Sequence, residues 1–265
     1  SAASDVYKRQ VLFGAGGPGG AVSFKRVTNP VTKSEFRLGQ NFDSNAGAYT
    51  TSGNMIFPLS SKAYLRLNGS ATNAGNYETG SGIKPLTEYS TTDYTAILGT
   101  LLSDGSKLEF NYTNNRQDKV GYPGLTMDIV YSYTDMYTLK YHRVTPFGMF
   151  STMNVELFNT DIDHLMNNVV LRGNTGNGVM SWPTASDTYG GRIIGTIGSD
   201  IRAGIDYEHN TKDAEQNMVM SGMNVFMTYL WPGVETEKLG LFFEKDLNNI
   251  SCLLYTSDAA DDTPC

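Results

Sequence analysis

The chain has 265 residues, a formal charge of −7 and 40% hydrophobic residues, with 28 Gly, 16 Tyr and 12 Phe. It is poor in the Leu, Ala, Glu and Lys of long helices and rich in strand and turn formers, which predicts an all-β protein. A mild acidic excess argues against nucleic acid as a partner. With no run of about eighteen apolar residues a transmembrane helix is excluded; a membrane β-barrel is not, because its strands alternate.

The two ends are read separately. SAASDVYKRQ (1–10) and CLLYTSDAAD (252–261) back-translate to one DNA sequence read on opposite strands. Segments 1–10 and 252–265 are therefore taken as adapter-derived and set aside. They carry +1 (Lys8, Arg9, Asp5) and −3 (Asp258, Asp261, Asp262), which leaves −5 on the remainder. Both cysteines, Cys252 and Cys265, go with the second segment, so no disulfide framework and no CxxC metal site is expected.

The chain proper opens on VLFGAGGPGGAVSFKRV (11–27). Gly14-x-Gly16-x-x-Gly19 has the spacing of a dinucleotide-binding turn, but that turn needs a helix directly after it. Ala21 to Val27 is a β pattern instead, and no βαβ unit follows, so the nucleotide reading fails on context. Asn29-Pro30-Val31-Thr32 reads as a linker.

From Lys33 the chain is a meander. Strands are predicted at Ser34–Asp43, Ala48–Pro58, Lys62–Thr72, Thr91–Leu102, Lys107–Asn114, Asp135–Val144, Phe150–Ile162, Thr188–Ile197, Ile201–His209 and Glu235–Asp246. Several alternate strictly: Leu108, Phe110 and Tyr112 oppose Lys107, Glu109 and Asn111, and Ile201, Ala203, Ile205 and Tyr207 oppose Arg202, Gly204, Asp206 and Glu208. Such strands have one apolar and one wet face.

The connections separate a soluble sandwich from a membrane barrel. Short turns (59–61, 103–106, 145–148, 198–200) alternate with long loops expected at 73–90, 115–134, 163–187 and 210–234. Outer-membrane barrels segregate loop length in this way, whereas loops of about twenty residues are uncommon in compact domains. The wet faces carry charge thinly among Asn, Thr and Gly, as a lumen does. Tyr89, Tyr94, Tyr112, Tyr137 and Tyr207 are expected in an interfacial girdle. The reading is a partial antiparallel transmembrane β-barrel over 33–251, in contact with outer-membrane lipid.

Three segments carry a family resemblance. Leu12-Phe13-Gly14-Ala15-Gly16 with Gly19-Gly20-Ala21-Val22-Ser23-Phe24 resembles the end of the plug domain in TonB-dependent outer-membrane receptors, a "YG…GGxVNxxTK" segment. Here Phe13 replaces the usual Tyr, Ser23 the usual Asn, and Lys25-Arg26-Val27-Thr28 stands in the closing position. Val120-Gly121-Tyr122-Pro123-Gly124-Leu125-Thr126-Met127-Asp128 is similar to a "YPxLxMD" loop. Asp163-His164-Leu165-Met166-Asn167-Asn168, with Arg172 and Asp187-Thr188-Tyr189-Gly190-Gly191, is similar to an "HxMDN…R…TxxGG" loop. Together they look like the copper-receptor branch.

The resemblance implies that 11–32 is the end of a plug and its linker, and that 33–251 is about ten strands of a 22-stranded barrel. It further implies a Gram-negative outer-membrane location, a TonB complex as energising partner, no required cofactor, and copper or a copper complex as the small transported ligand. By the same implication His164 and Met166 are metal ligands; on an extended segment positions i and i+2 share a side, so both can meet one ion. Met127 and Asp128 are expected to shape the ligand cavity.

Met218-x-Met220-x-x-Met223-x-x-x-Met227 reads as a second, weaker copper-catching cluster through Met218, Met220 and Met223, or as adaptable packing. Trp182 and Trp231, each followed by proline, read as loop anchors. Asp161/Asp163 and Asp206/Glu208 read as solvated faces, with no catalytic constellation and no enzyme activity expected. The alternatives left open are a siderophore or small organic cofactor receptor of the same fold, and a passive porin-like barrel or adhesin.

Overall fold

The computed structural model describes residues 30–175, 178–219 and 225–245. The glycine-rich stretch, expected to end a plug, and the two segments expected to be adapter-derived lie outside the described residues. What is described is one antiparallel ten-stranded sheet in sequence order. Its strands are β1 Glu35–Asp43, β2 Ala48–Pro58, β3 Ala63–Ala74, β4 Tyr89–Leu101, β5 Lys107–Val120, β6 Asp128–Arg143, β7 Phe150–Asn167, β8 Met180–Ile197, β9 Ile201–Val219 and β10 Val225–Lys245. No described helix is long and apolar enough to cross a membrane, which says nothing of strands.

The period-two pattern fixes which side chains share a face, and the register aligns them across strands. Phe57, Leu65, Leu98, Phe110, Leu139 and Leu157 form one transverse row over β2–β7. Leu108, Tyr141, Val155, Ile193, Ile205 and Leu241 form another over β5–β10. This apolar face is the exposed one: Leu98, Phe110, Leu157, Ile193 and Leu241 are 43–79% accessible. The crowded side chains lie on the opposite, polar face, among them Tyr64, Ile97, Glu109, Asn210 and Ala214. A sheet curled with its polar face inward crowds that face and splays the other. The result inverts a soluble core and is the arrangement of a partial β-barrel with a lipid-facing exterior.

Aromatic rings on the inner face lie over glycines of the next strand. A Cβ on Gly99 would sit 2.3 Å from the Tyr64 ring, and one on Gly204 2.3 Å from the Phe242 ring. Each glycine pairs in register with its aromatic residue. Tyr64 then reaches on to donate its hydroxyl to Glu109 at 2.8 Å.

All ten predicted strands are present, and their lower ends, at the short turns, agree to within a residue or two. The upper ends differ. The expected loops 115–134, 163–187 and 210–234 are largely strand: β5 runs on to Val120, β6 starts at Asp128, β7 runs on to Asn167, β8 starts at Met180, β9 runs on to Val219 and β10 starts at Val225. β10, with 21 residues, is roughly 70 Å long and far exceeds the 9–11 residues that span a bilayer. The ladder continues there because backbone hydrogen bonding needs no apolar face, while the period-two contrast that marks a strand in sequence fades. Tyr94, Tyr112, Tyr137 and Tyr207 are on the outer face, with Tyr112 stacked on Tyr137 at 4.9 Å. Tyr89 is instead on the inner face, paired with Ala74, and Tyr189 joins the outer row opposite Asn159.

Candidate functional site: a thioether and imidazole cluster on the inner face

The site is built on the upper ends of β7, β8 and β9. On β7, Glu156 pairs with Lys140 across to β6 and closes an ion pair at 3.4 Å on the inner face. Counting by twos from Glu156 places His164 and Met166 on that same face. Neither is in a loop: His164 stands between Ser132 of β6 and Thr184 of β8, and Met166 between Ile129 and Trp182. Burial pushes the His164 imidazole below its ordinary value, against the opposing pull of the adjacent Asp163 carboxylate, so the ring is neutral and able to ligate near neutral pH.

Met218 is also on the inner face, on β9. Its register partner is Met180 of β8, a residue the sequence reading passed over because it lies outside the spaced methionine run. Directly opposed residues have Cβ atoms about 5 Å apart and diagonal ones about 7–8 Å. Met180 is thus opposite Met218 and diagonal to Met166, so three thioethers and one imidazole share a face on three adjacent strands. Met220 and Met223 lie outside the described residues. Met227 is on β10 opposite Asn217 and exposed. Trp182, expected to anchor a loop, lies within β8.

Two polar clasps hold this end of the sheet. Asn168 donates its backbone N–H to the Met180 carbonyl at 3.2 Å and accepts the Met180 N–H on Oδ1 at 2.9 Å, while its Nδ2 donates to the Gly178 carbonyl at 2.7 Å. This fixes the backbone of Met180. The second clasp joins the 121–127 loop to the 168–175 segment. Arg172 donates to both oxygens of Asp128, at 2.7 and 2.8 Å, and to the Tyr122 carbonyl at 2.8 Å; the Tyr122 N–H donates to Asp128 at 2.9 Å. Asp128 is fully buried and Met127 nearly so. A buried carboxylate is tolerated because its lone pairs are met by a cation and an amide. Beside the clasp is an open cavity of about 570 Å³ bordered by Thr126, Asn168, Arg172, Asn174, Thr175 and Met180.

Among the described residues, no group of three or more His, Cys, Asp or Glu side chains is placed to hold a metal ion. Any ion taken here rests on thioethers and one imidazole, a donor set that suits a soft monovalent ion.

No family model matches the chain, and neither does any curated relative. Among solved structures it is similar to the copper transporter OprC, with a TM-score of 0.69, 18% identity, and coverage of 86% of this chain and 37% of that one. At that identity the likeness is one of fold, and the chain spans 37% of that protein's length.

Proposed function

We propose that the chain is the barrel portion of a TonB-dependent outer-membrane transporter that takes up copper or a copper complex. The observation that carries this reading is the grouping of His164, Met166, Met180 and Met218 on the inner face, directly above an exterior belt made for lipid. A charged or polar organic chelate calls for hydrogen-bonding groups; the donors offered here are soft, neutral and suited to bare Cu(I). The barrel likeness to a copper transporter supports the same cargo.

The test is calorimetric titration of the full-length protein with Cu(I) and, separately, with a ferric chelate. Replacing His164 and Met166 together by alanine is expected to lower copper affinity at least tenfold; unchanged affinity removes the metal assignment. Uptake that persists after the inner-membrane energy source is uncoupled would show a passive pore instead.

A further inference from the structure

The cluster has a neighbour that is not a conventional ligand. Trp182 is the register partner of Met166. It stands two residues from Met180 along β8 and two from Thr184, the partner of His164, so its indole occupies the inner face with donors across the strand gap, along the strand and on the diagonal. Tryptophan in a membrane barrel is usually interfacial, but that belt is on the opposite face of this sheet. Its ring is not held by its polar edge either: the indole Nε1 is buried and makes no hydrogen bond. Pro183 follows directly, which confines Trp182 to an extended backbone and narrows the directions its side chain can take.

We propose that Trp182 is a specificity-determining residue of this site, its indole face covering the ion held by His164 and Met166 and selecting Cu(I) over Cu(II). The inference rests on the copper reading above. Thioethers and a neutral imidazole bring no compensating charge, so an ion leaving water keeps its full positive charge, and an indole face is the best aromatic partner for a desolvated cation. Cu(II) prefers tetragonal nitrogen and oxygen donors and retains water; a ring over the open side of the site excludes that water. Cu(I), content with few soft ligands, loses nothing. One side chain that adds no donor atom thus sharpens the preference already set by the donors.

The experiment uses the full-length protein in detergent. Cu(I), held under anaerobic conditions by a competing chelator, Ag(I) as a redox-silent stand-in, and Cu(II) are titrated against wild type, Trp182→Leu and Trp182→Phe. The expected result is a loss of Cu(I) and Ag(I) affinity of roughly 5- to 30-fold in Trp182→Leu, a smaller loss in Trp182→Phe, and no loss of Cu(II) affinity. Saturating Ag(I) should quench a component of the indole emission present in wild type and absent from Trp182→Phe. Since Trp182→Phe keeps a flat ring in the same place, it decides the matter even where leucine disturbs the strand. Equal ratios of Cu(I) to Cu(II) affinity in all three proteins overturn the role of Trp182 while leaving the metal site intact. Unchanged Cu(I) affinity in the paired His164→Ala, Met166→Ala variant overturns the metal site itself.

Discussion

β7 carries two opposite chemistries along one strand. In its lower half the outer face is Met153, Val155 and Leu157 and the inner face is Asn154 and Glu156; in its upper half the outer face is Asn159, Asp161 and Asp163 and the inner face ends in His164 and Met166. Polarity is thus reversed between the halves while the ladder runs through unbroken. The lower half answers to lipid outside and water inside. The upper half meets water outside, where Asp161 pairs in register with Asp135 and Asp187, and encloses a soft, partly dry cluster. A strand can change its environment without changing its structure, because backbone pairing is indifferent to which face is apolar.

The largest effect that would break this comparison is in the upper half, at the clasp. Arg172→Ala leaves Asp128 buried and unpaired, at a cost of about 3–5 kcal/mol. Hydrogen exchange should then show the 121–127 loop and the 168–175 segment opening while amides of the lower belt keep their protection; uniform loss of protection would mean that the two halves are one cooperative unit. Next comes the belt itself. Leu157→Arg places a cation on the lipid face and should cost about 2–4 kcal/mol in equilibrium unfolding from bilayers. Thr138→Arg, one residue before Leu139 in the belt and on the inner face, should cost far less. Equal costs would refute the assignment of faces.

A smaller effect is expected at the glycine joints. Gly99→Val drives a side chain into the Tyr64 ring, and overpacking of that kind costs about 1–3 kcal/mol. The hydroxyl contact with Glu109 should be lost with it, and Tyr64→Phe should show how much of the effect belongs to that hydrogen bond alone.

The smallest effect is at the lower turn. Hydrogen bonds from the Ser106 backbone and hydroxyl, with Arg143 nearby, hold the Asp104 carboxyl below the usual carboxylate range. A depressed carboxylate contributes stability that is present above its unfolded value of 3.8 and is lost as pH falls through the lower folded value. Acid should therefore loosen the 102–106 turn before it disturbs the belt, read as faster exchange at the Ser106 amide. Asp104→Asn should remove that pH dependence.

Much of the fold is legible in the sequence for a physical reason. A strand with lipid on one side and water on the other must alternate, and Leu108-Glu109-Phe110-Asn111-Tyr112 or Lys238-Leu239-Gly240-Leu241 records that constraint residue by residue. All ten strands and their short turns follow from it. Beyond the bilayer the constraint lapses. Asn115 to Val120 and Asn210 to Val219 alternate nothing visible, and so they read as loops although they belong to β5 and β9.

The candidate site divides along the same line. His164 and Met166 stand out by local motif and share a side by simple strand geometry. Met218 stands out by its spacing to other methionines. That Met180 faces Met218, that Trp182 is opposite Met166, and that Arg172 reaches across to Asp128 are matters of register between distant segments. No local pattern encodes them, since only the pairing of β7, β8 and β9 brings those positions level. By itself the sequence determined the alternation, and with it the class of fold and the membrane-facing belt. The tertiary structure decided which soft side chains meet, because meeting depends on how far each hairpin runs before it turns.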